Sequence, residues 1–183
     1  MTTSHLPPNA EFHMYVGFCI TAWGKVEEQL FRICAKCLGT SDEIAAIVYY
    51  RTPTINARLD LLDELVKARL PRKERKSGGH DHPDVKHWDG VCKDTKSLLG
   101  TRSRIAHHPV ADRSVFGDPT GIGALGLRTW LEIYMSEHER LRGQSKEVKP
   151  LKVVHLSFHC IKVQAITQRL DQFYSNVLSK HVK

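Results

Sequence analysis

Apolar residues recur at three- and four-residue steps in five separate stretches of this chain, and that periodicity commits it to packed amphipathic helices. The first stretch carries Tyr15, Cys19, Ile20, Trp23, Val26, Leu30, Ile33, Cys34 and Cys37, which predicts a helix over about 10–38 ended by Gly39. Ser41 or Asp42 then caps a short helix through Ile44, Ile47, Val48 and Tyr49, and Pro53 breaks it. In the third, Thr54 is the cap, Ile55, Leu59, Leu62 and Val66 share one face, and Pro71 is the stop. Val85, Trp88, Val91, Cys92, Thr95, Leu98, Leu99, Arg102, Ile105 and Ala106 define a fourth helix that runs to His107, because Pro109 disfavours helical geometry at His108. Val154, Phe158, Ile161, Val163, Ala165, Ile166, Leu170, Phe173, Val177 and Leu178 suit a long closing helix over about 151–179.

Two segments interrupt this pattern. The stretch from Pro71 to Asp84 is charged, contains glycine and is nearly free of apolar residues, so an exposed loop is expected at about 71–84. Residues 110–150 hold most of the remaining glycines and prolines, yet Leu127 to Met135 is apolar with partial alternation, which favours a small β-hairpin insertion with a helix as the alternative. The expectation is a mainly all-α fold, a bundle of four to five helices in one domain spanning the 183 residues.

Composition narrows the functional classes. No apolar run approaches the roughly 20 residues of a membrane-spanning helix, and the first residues lack the basic and apolar blocks of a signal peptide, so a cytoplasmic protein with no membrane partner is expected. Cys19, Cys34, Cys37, Cys92 and Cys160 are odd in number and sit mostly among apolar neighbours, which fits reduced thiols in a reducing compartment. Lys and Arg exceed Asp and Glu by 27 − 20 = 7, an excess that favours polyanionic partners such as nucleic acid. There is neither a glycine-rich phosphate loop nor a paired acidic cluster of the metal-nuclease kind, so ATP-driven chemistry is not expected and neither a cofactor nor a metal is assigned.

Chemistry concentrates at the end of the fourth helix, in Thr101-Arg102-Ser103-Arg104-Ile105-Ala106-His107-His108-Pro109. Five residues separate Arg102 from His107, which places them about 140° apart around a helix axis and about 7.5 Å along it. Only the reach of the arginine makes them neighbours. A plain structural explanation also exists, since cations near a helix C-terminus satisfy its last carbonyls.

An arginine, four to six residues, then a histidine at the end of a core helix resembles the HEPN domains (higher eukaryotes and prokaryotes nucleotide-binding). Ile105-Ala106 matches the apolar pair before the histidine, and Ser103 stands where the family often has asparagine. The order of elements is similar too, with Trp23-Gly24-Lys25-Val26-Glu27 on the first helix and Arg58-Leu59-Asp60-Leu61-Leu62 on the third. The resemblance covers about residues 12–109. It implies a metal-independent endoribonuclease, with His107 as base on the RNA 2′-hydroxyl, Arg102 holding the phosphate and Ser103 supporting it. General principles agree, because an imidazole titrates near neutrality and a guanidinium fork fits a phosphoryl oxygen. The products would be a 2′,3′-cyclic phosphate and a free 5′-hydroxyl. It further implies a homodimer through the motif helices, a toxin or phage-defence role with an antitoxin or inhibitor protein, and a possible part for Glu27 in orienting the motif arginine.

His108 is the alternative base in a shifted register with Arg104, its i,i+4 partner. Arg104 and the loop residues Arg72, Lys73, Arg75 and Lys76 are the candidate RNA-backbone contacts. A different class is also open: a non-catalytic HEPN-like module that binds RNA, a nucleotide or a protein partner. Cys34 and Cys37 have a zinc-knuckle gap but lie within an apolar helix with no second pair, so core thiols are expected. His80, Asp81, His82 and His87 suit a transition metal by type, though a solvated loop is the commoner use. Trp23 and Trp88 fall at core positions rather than as base-stacking platforms.

Overall fold

The computed structural model describes residues 8–70, 82–107, 110–112, 131–133 and 151–182. Their order is α1 (Pro8–Leu38), α2 (Asp42–Arg51), α3 (Ile55–Arg69), α4 (Pro83–His107), β1 (Val110–Asp112), β2 (Leu131–Ile133), α5 (Val153–Phe173), a π-helical turn (Tyr174–Leu178) and a last short turn α6 (Ser179–His181). The fold is mainly all-α, as the periodicity predicts. The charged loop at about 71–84 lies mostly outside the described residues.

Local chemistry sets the helix ends. Gly39 takes φ +65°, a left-handed conformation in which its N–H donates to the Ala35 carbonyl, and this closes α1. Arg69 then donates from Nε to the Cys37 carbonyl at 2.7 Å, placing a cation on the carbonyl end of α1. At α3 the Thr54 hydroxyl accepts from the Ala57 N–H at 3.2 Å, the expected cap. Leu70, before Pro71, leaves the helix with ψ 146°. Ser41 is the N-cap of α2 by backbone geometry, without a side-chain capping bond. His82 does that work for α4, its Nδ1 accepting from the Asp84 N–H at 3.3 Å.

Six residues of the insertion are described, and they are strand. Val110–Asp112 and Leu131–Ile133 pair antiparallel, with Val110 opposite Ile133 and Asp112 opposite Leu131. The other residues of the 110–150 insertion lie outside the described set.

The chain divides into two compact units, residues 1–21 with 99–162 and residues 22–98 with 163–183. In the second unit the helices are joined in a closed ring. Glu27 of α1 accepts from Arg58 of α3 at 2.9 Å, and Trp88 of α4 donates its indole N–H to Asp63 of α3 at 3.1 Å. Arg169 of α5 pairs with Asp94 of α4, and Asp171 of α5 pairs with Arg32 of α1 at 3.4 Å. Trp23 and Trp88 are buried, as expected, and Trp88 lies against Phe173 with ring centroids 5.1 Å apart. In the first unit Phe12 and Cys19 of α1, Ile105 of α4, Leu151, and Leu156 and Cys160 of α5 form one apolar core.

Two expectations need correction. Ile20, Ile44, Ile47, Val154, Phe158 and Ile161 belong to their helices but are exposed, because each helix turns another set of apolar residues inward. The closing helix is α-helical only to Phe173, after which the backbone widens into the π turn and the Ser179 hydroxyl donates to the Tyr174 carbonyl at 3.0 Å.

Candidate functional site

The last two turns of α4 carry the motif, and the buried Ile105 fixes how they are rotated. At about 100° per residue, Arg102 lies about 60° to one side of Ile105 and Arg104 about 100° to the other. Both are half-buried. His107 and Ser103 fall on the outward face, about 160° from Ile105 on either side and only about 40° from each other. Both are exposed. The helix therefore places Ser103 and His107 together as an i,i+4 pair, one turn apart, while Arg102 and His107 stay about 140° apart. Ser103 and Arg104, four and three residues before His107, are its neighbours on the helix surface.

Within the described residues of this unit, Arg102, Arg104, Lys152 and Lys162 are cationic, Glu11, Asp112 and Glu132 are acidic, and His13, His107, His155 and His159 are titratable. Burial lowers the Arg104 pKa, yet a guanidinium keeps its proton at any physiological pH. His159 is buried, and desolvation, helped by Lys162, pushes it down to about 4, so it is neutral at pH 7. His155 Nδ1 accepts from the Lys152 N–H at 3.0 Å and so caps α5.

The other sequence candidates fall in different places. His108, Arg72, Lys73, Arg75, Lys76, His80 and Asp81 lie outside the described residues. His82 faces Asp84 at 3.4 Å, and His87 stands edge-on to Phe173 with centroids 5.7 Å apart. Among the described residues no three His, Cys, Asp or Glu side chains form a group able to hold a metal. Cys34 and Cys37 are buried core thiols, and burial raises both, Cys37 to about 12.

Glu27 is engaged by Arg58, whose guanidinium also lies 5.0 Å from the Tyr49 ring centroid and 5.6 Å from that of Tyr50. Arg58 Nε donates to the Thr52 carbonyl at 3.0 Å, and the Tyr49 hydroxyl donates to the Glu27 carbonyl at 3.4 Å. This cluster joins α1, α2 and α3, and sequence reasoning missed it because its members are far apart in the chain. Burial, with the Glu27 charge, drives the Tyr49 pKa upward, so its hydroxyl stays protonated as a donor.

Against known proteins, the chain matches no family model, no curated protein and no solved structure.

Proposed function

We propose that this chain is a HEPN-like endoribonuclease that cuts RNA without a metal. The observation that carries the proposal is the position of Arg102, Ser103, Arg104 and His107 in the last turns of α4. Two guanidinium groups at one helix end attract a polyanion, and the exposed imidazole there is open to a ribose 2′-hydroxyl. His107 removes the 2′-hydroxyl proton, the 2′-oxygen attacks the adjacent phosphorus, the P–O5′ bond breaks, and the 5′-oxygen leaves as a hydroxyl with a proton from the imidazolium or from water. Arg102 stabilises the charge that grows on the phosphoryl oxygens, and Ser103 supports the imidazole or the phosphate by a hydrogen bond.

One helix does not aim Arg102 and His107 at a single phosphate, since about 140° separates them. A homodimer meeting at the motif helices supplies the complement, with the guanidinium of one copy beside the imidazole of the other. The same divergence favours a second function, a non-catalytic module in which the basic helix end holds RNA. A toxin or phage-defence role, opposed by an antitoxin or inhibitor protein, belongs to the first.

The test is incubation with total RNA, with and without chelator, and mapping of the cut ends. Cleavage that persists in chelator and leaves 2′,3′-cyclic phosphates is expected, with DNA untouched. Arg102→Ala and His107→Ala should each lower the rate by about 10²–10⁴-fold at an unchanged thermal midpoint. Equal cleavage by both variants and the parent would place the activity elsewhere, and salt-sensitive RNA binding without cleavage would establish the non-catalytic module.

A further inference from the structure

The apolar core that holds Ile105 also contains two thiols in direct contact. Cys19 Sγ of α1 and Cys160 Sγ of α5 are 2.6 Å apart, within about 0.6 Å of the roughly 2.05 Å of a disulfide. The two positions are 141 residues apart in sequence, so their meeting is a property of the fold and not of a local motif. The Cys19 thiol also lies 3.5 Å from the Leu156 carbonyl, and the Cys160 thiol 3.9 Å from the Tyr15 carbonyl. Each sulfur is thus held between α1 and α5. Cys34, Cys37 and Cys92 all lie in the other compact unit, and no comparable contact is described for them.

We propose that Cys19 and Cys160 form a reversible thiol–disulfide switch in the core shared with Ile105, closed by a small peroxide and opened by thiol reductants. Accessibility orders the two steps. Cys160 retains 7% of its surface whereas Cys19 has none, and an uncharged oxidant of the size of hydrogen peroxide reaches the former first. The Cys160 sulfur attacks one peroxide oxygen, the O–O bond breaks, and the leaving hydroxide departs as water with the thiol proton. The Cys19 sulfur then attacks the sulfenic sulfur of Cys160. The S–O bond breaks, the S–S bond forms, and a second water carries off the Cys19 proton. Two electrons pass from the thiols to one peroxide.

The bond would tie α1 to α5 across the core against which Ile105 packs. In the oxidised chain the end of α4 therefore rests on a cross-linked base. This inference is independent of the ribonuclease proposal.

The test treats the full chain with hydrogen peroxide, blocks remaining thiols with an alkylating agent under denaturing conditions, and maps the unreduced digest by mass spectrometry. A Cys19–Cys160 linked peptide should appear, vanish with dithiothreitol, and be absent from Cys19→Ser and Cys160→Ser. Cys34→Ser should keep it, which separates the pairing from general effects of replacing a buried thiol. The thermal midpoint of the oxidised parent should rise and return on reduction. Five alkylated thiols after peroxide, a link between any other pair, or Cys160 carried to sulfinic acid with no link would each overturn the proposal.

Discussion

In the unit of residues 22–98 and 163–183, neighbouring helices are held by polar contacts as well as by packing. Examples are Arg58 with Glu27, Lys96 with Asp60 and Lys67 between Asp63 and Asp89. In the unit of residues 1–21 and 99–162, the outward faces carry Met14, Phe18, Val154, Phe158 and Ile161, and the end of α4 carries Arg102, Arg104 and the exposed His107. α1, α4 and α5 contribute to both units, whereas α2 and α3 belong to the other one alone. Where an acid is placed opposite a base on a neighbouring helix, charge serves to fix helix neighbours. Where cations gather at one helix end, they raise the local potential and suit a polyanionic ligand.

The largest effect on stability is expected at Trp88. Its ring is fully buried against Phe173 and its indole N–H donates to Asp63, so Trp88→Ala should cost about 3–5 kcal/mol in urea unfolding. That is a large share of the stability of a domain this size. Trp88→Phe keeps most of the packing and loses the hydrogen bond, and should cost about 1–2 kcal/mol. If Trp88→Ala cost less than the Phe variant, the ring would not be the centre of that unit.

Next comes His159, a buried imidazole in the opposite unit. Its pKa falls from 6.5 to about 4 in the folded chain because burial disfavours the charged form. The unfolded chain therefore binds the proton more tightly. Stability is complete above about pH 6.5, declines as the pH falls toward 4, and is lower by about 3 kcal/mol once both states are protonated. His159→Gln, which cannot titrate, should remove that part of the acid sensitivity. Parallel urea series at pH 7 and pH 4.5 measure it, and an identical pH slope in parent and variant would place the acid sensitivity elsewhere.

Helix ends were readable because their causes are local: Gly39 supplies the left-handed residue, Thr54 the capping oxygen, and Pro71 and Pro109 the breaks. The motif could be placed on α4 for the same reason. Its facing could not, because only the burial of Ile105 in a nonlocal core decides that Ser103 and His107 turn outward while Arg102 and Arg104 lie half-buried. α5 shows the same limit. Leu156, Cys160 and Val163 form one apolar stripe and Val154, Phe158 and Ile161 another, both at helical spacing, and periodicity has no means of choosing between them. The Arg58 and Glu27 pair is invisible for a related reason, since its partners stand 31 residues apart on different helices.

The smallest effect tests that choice of stripe. Phe158 and Ile161 are 59% and 60% exposed, so a substitution there removes little surface that folding has hidden from water. Phe158→Ser and Ile161→Ser should each change stability by no more than about 0.5 kcal/mol. Leu156→Ala, two residues from Phe158 but with no exposed surface, should cost about 2–5 kcal/mol. Chemical denaturation at low protein concentration measures all three on one helix. A loss above about 1 kcal/mol for either serine variant, against the surface-site expectation, would mean that the outer stripe is covered in solution. The contrast between the units would then narrow to the interhelical ion pairs.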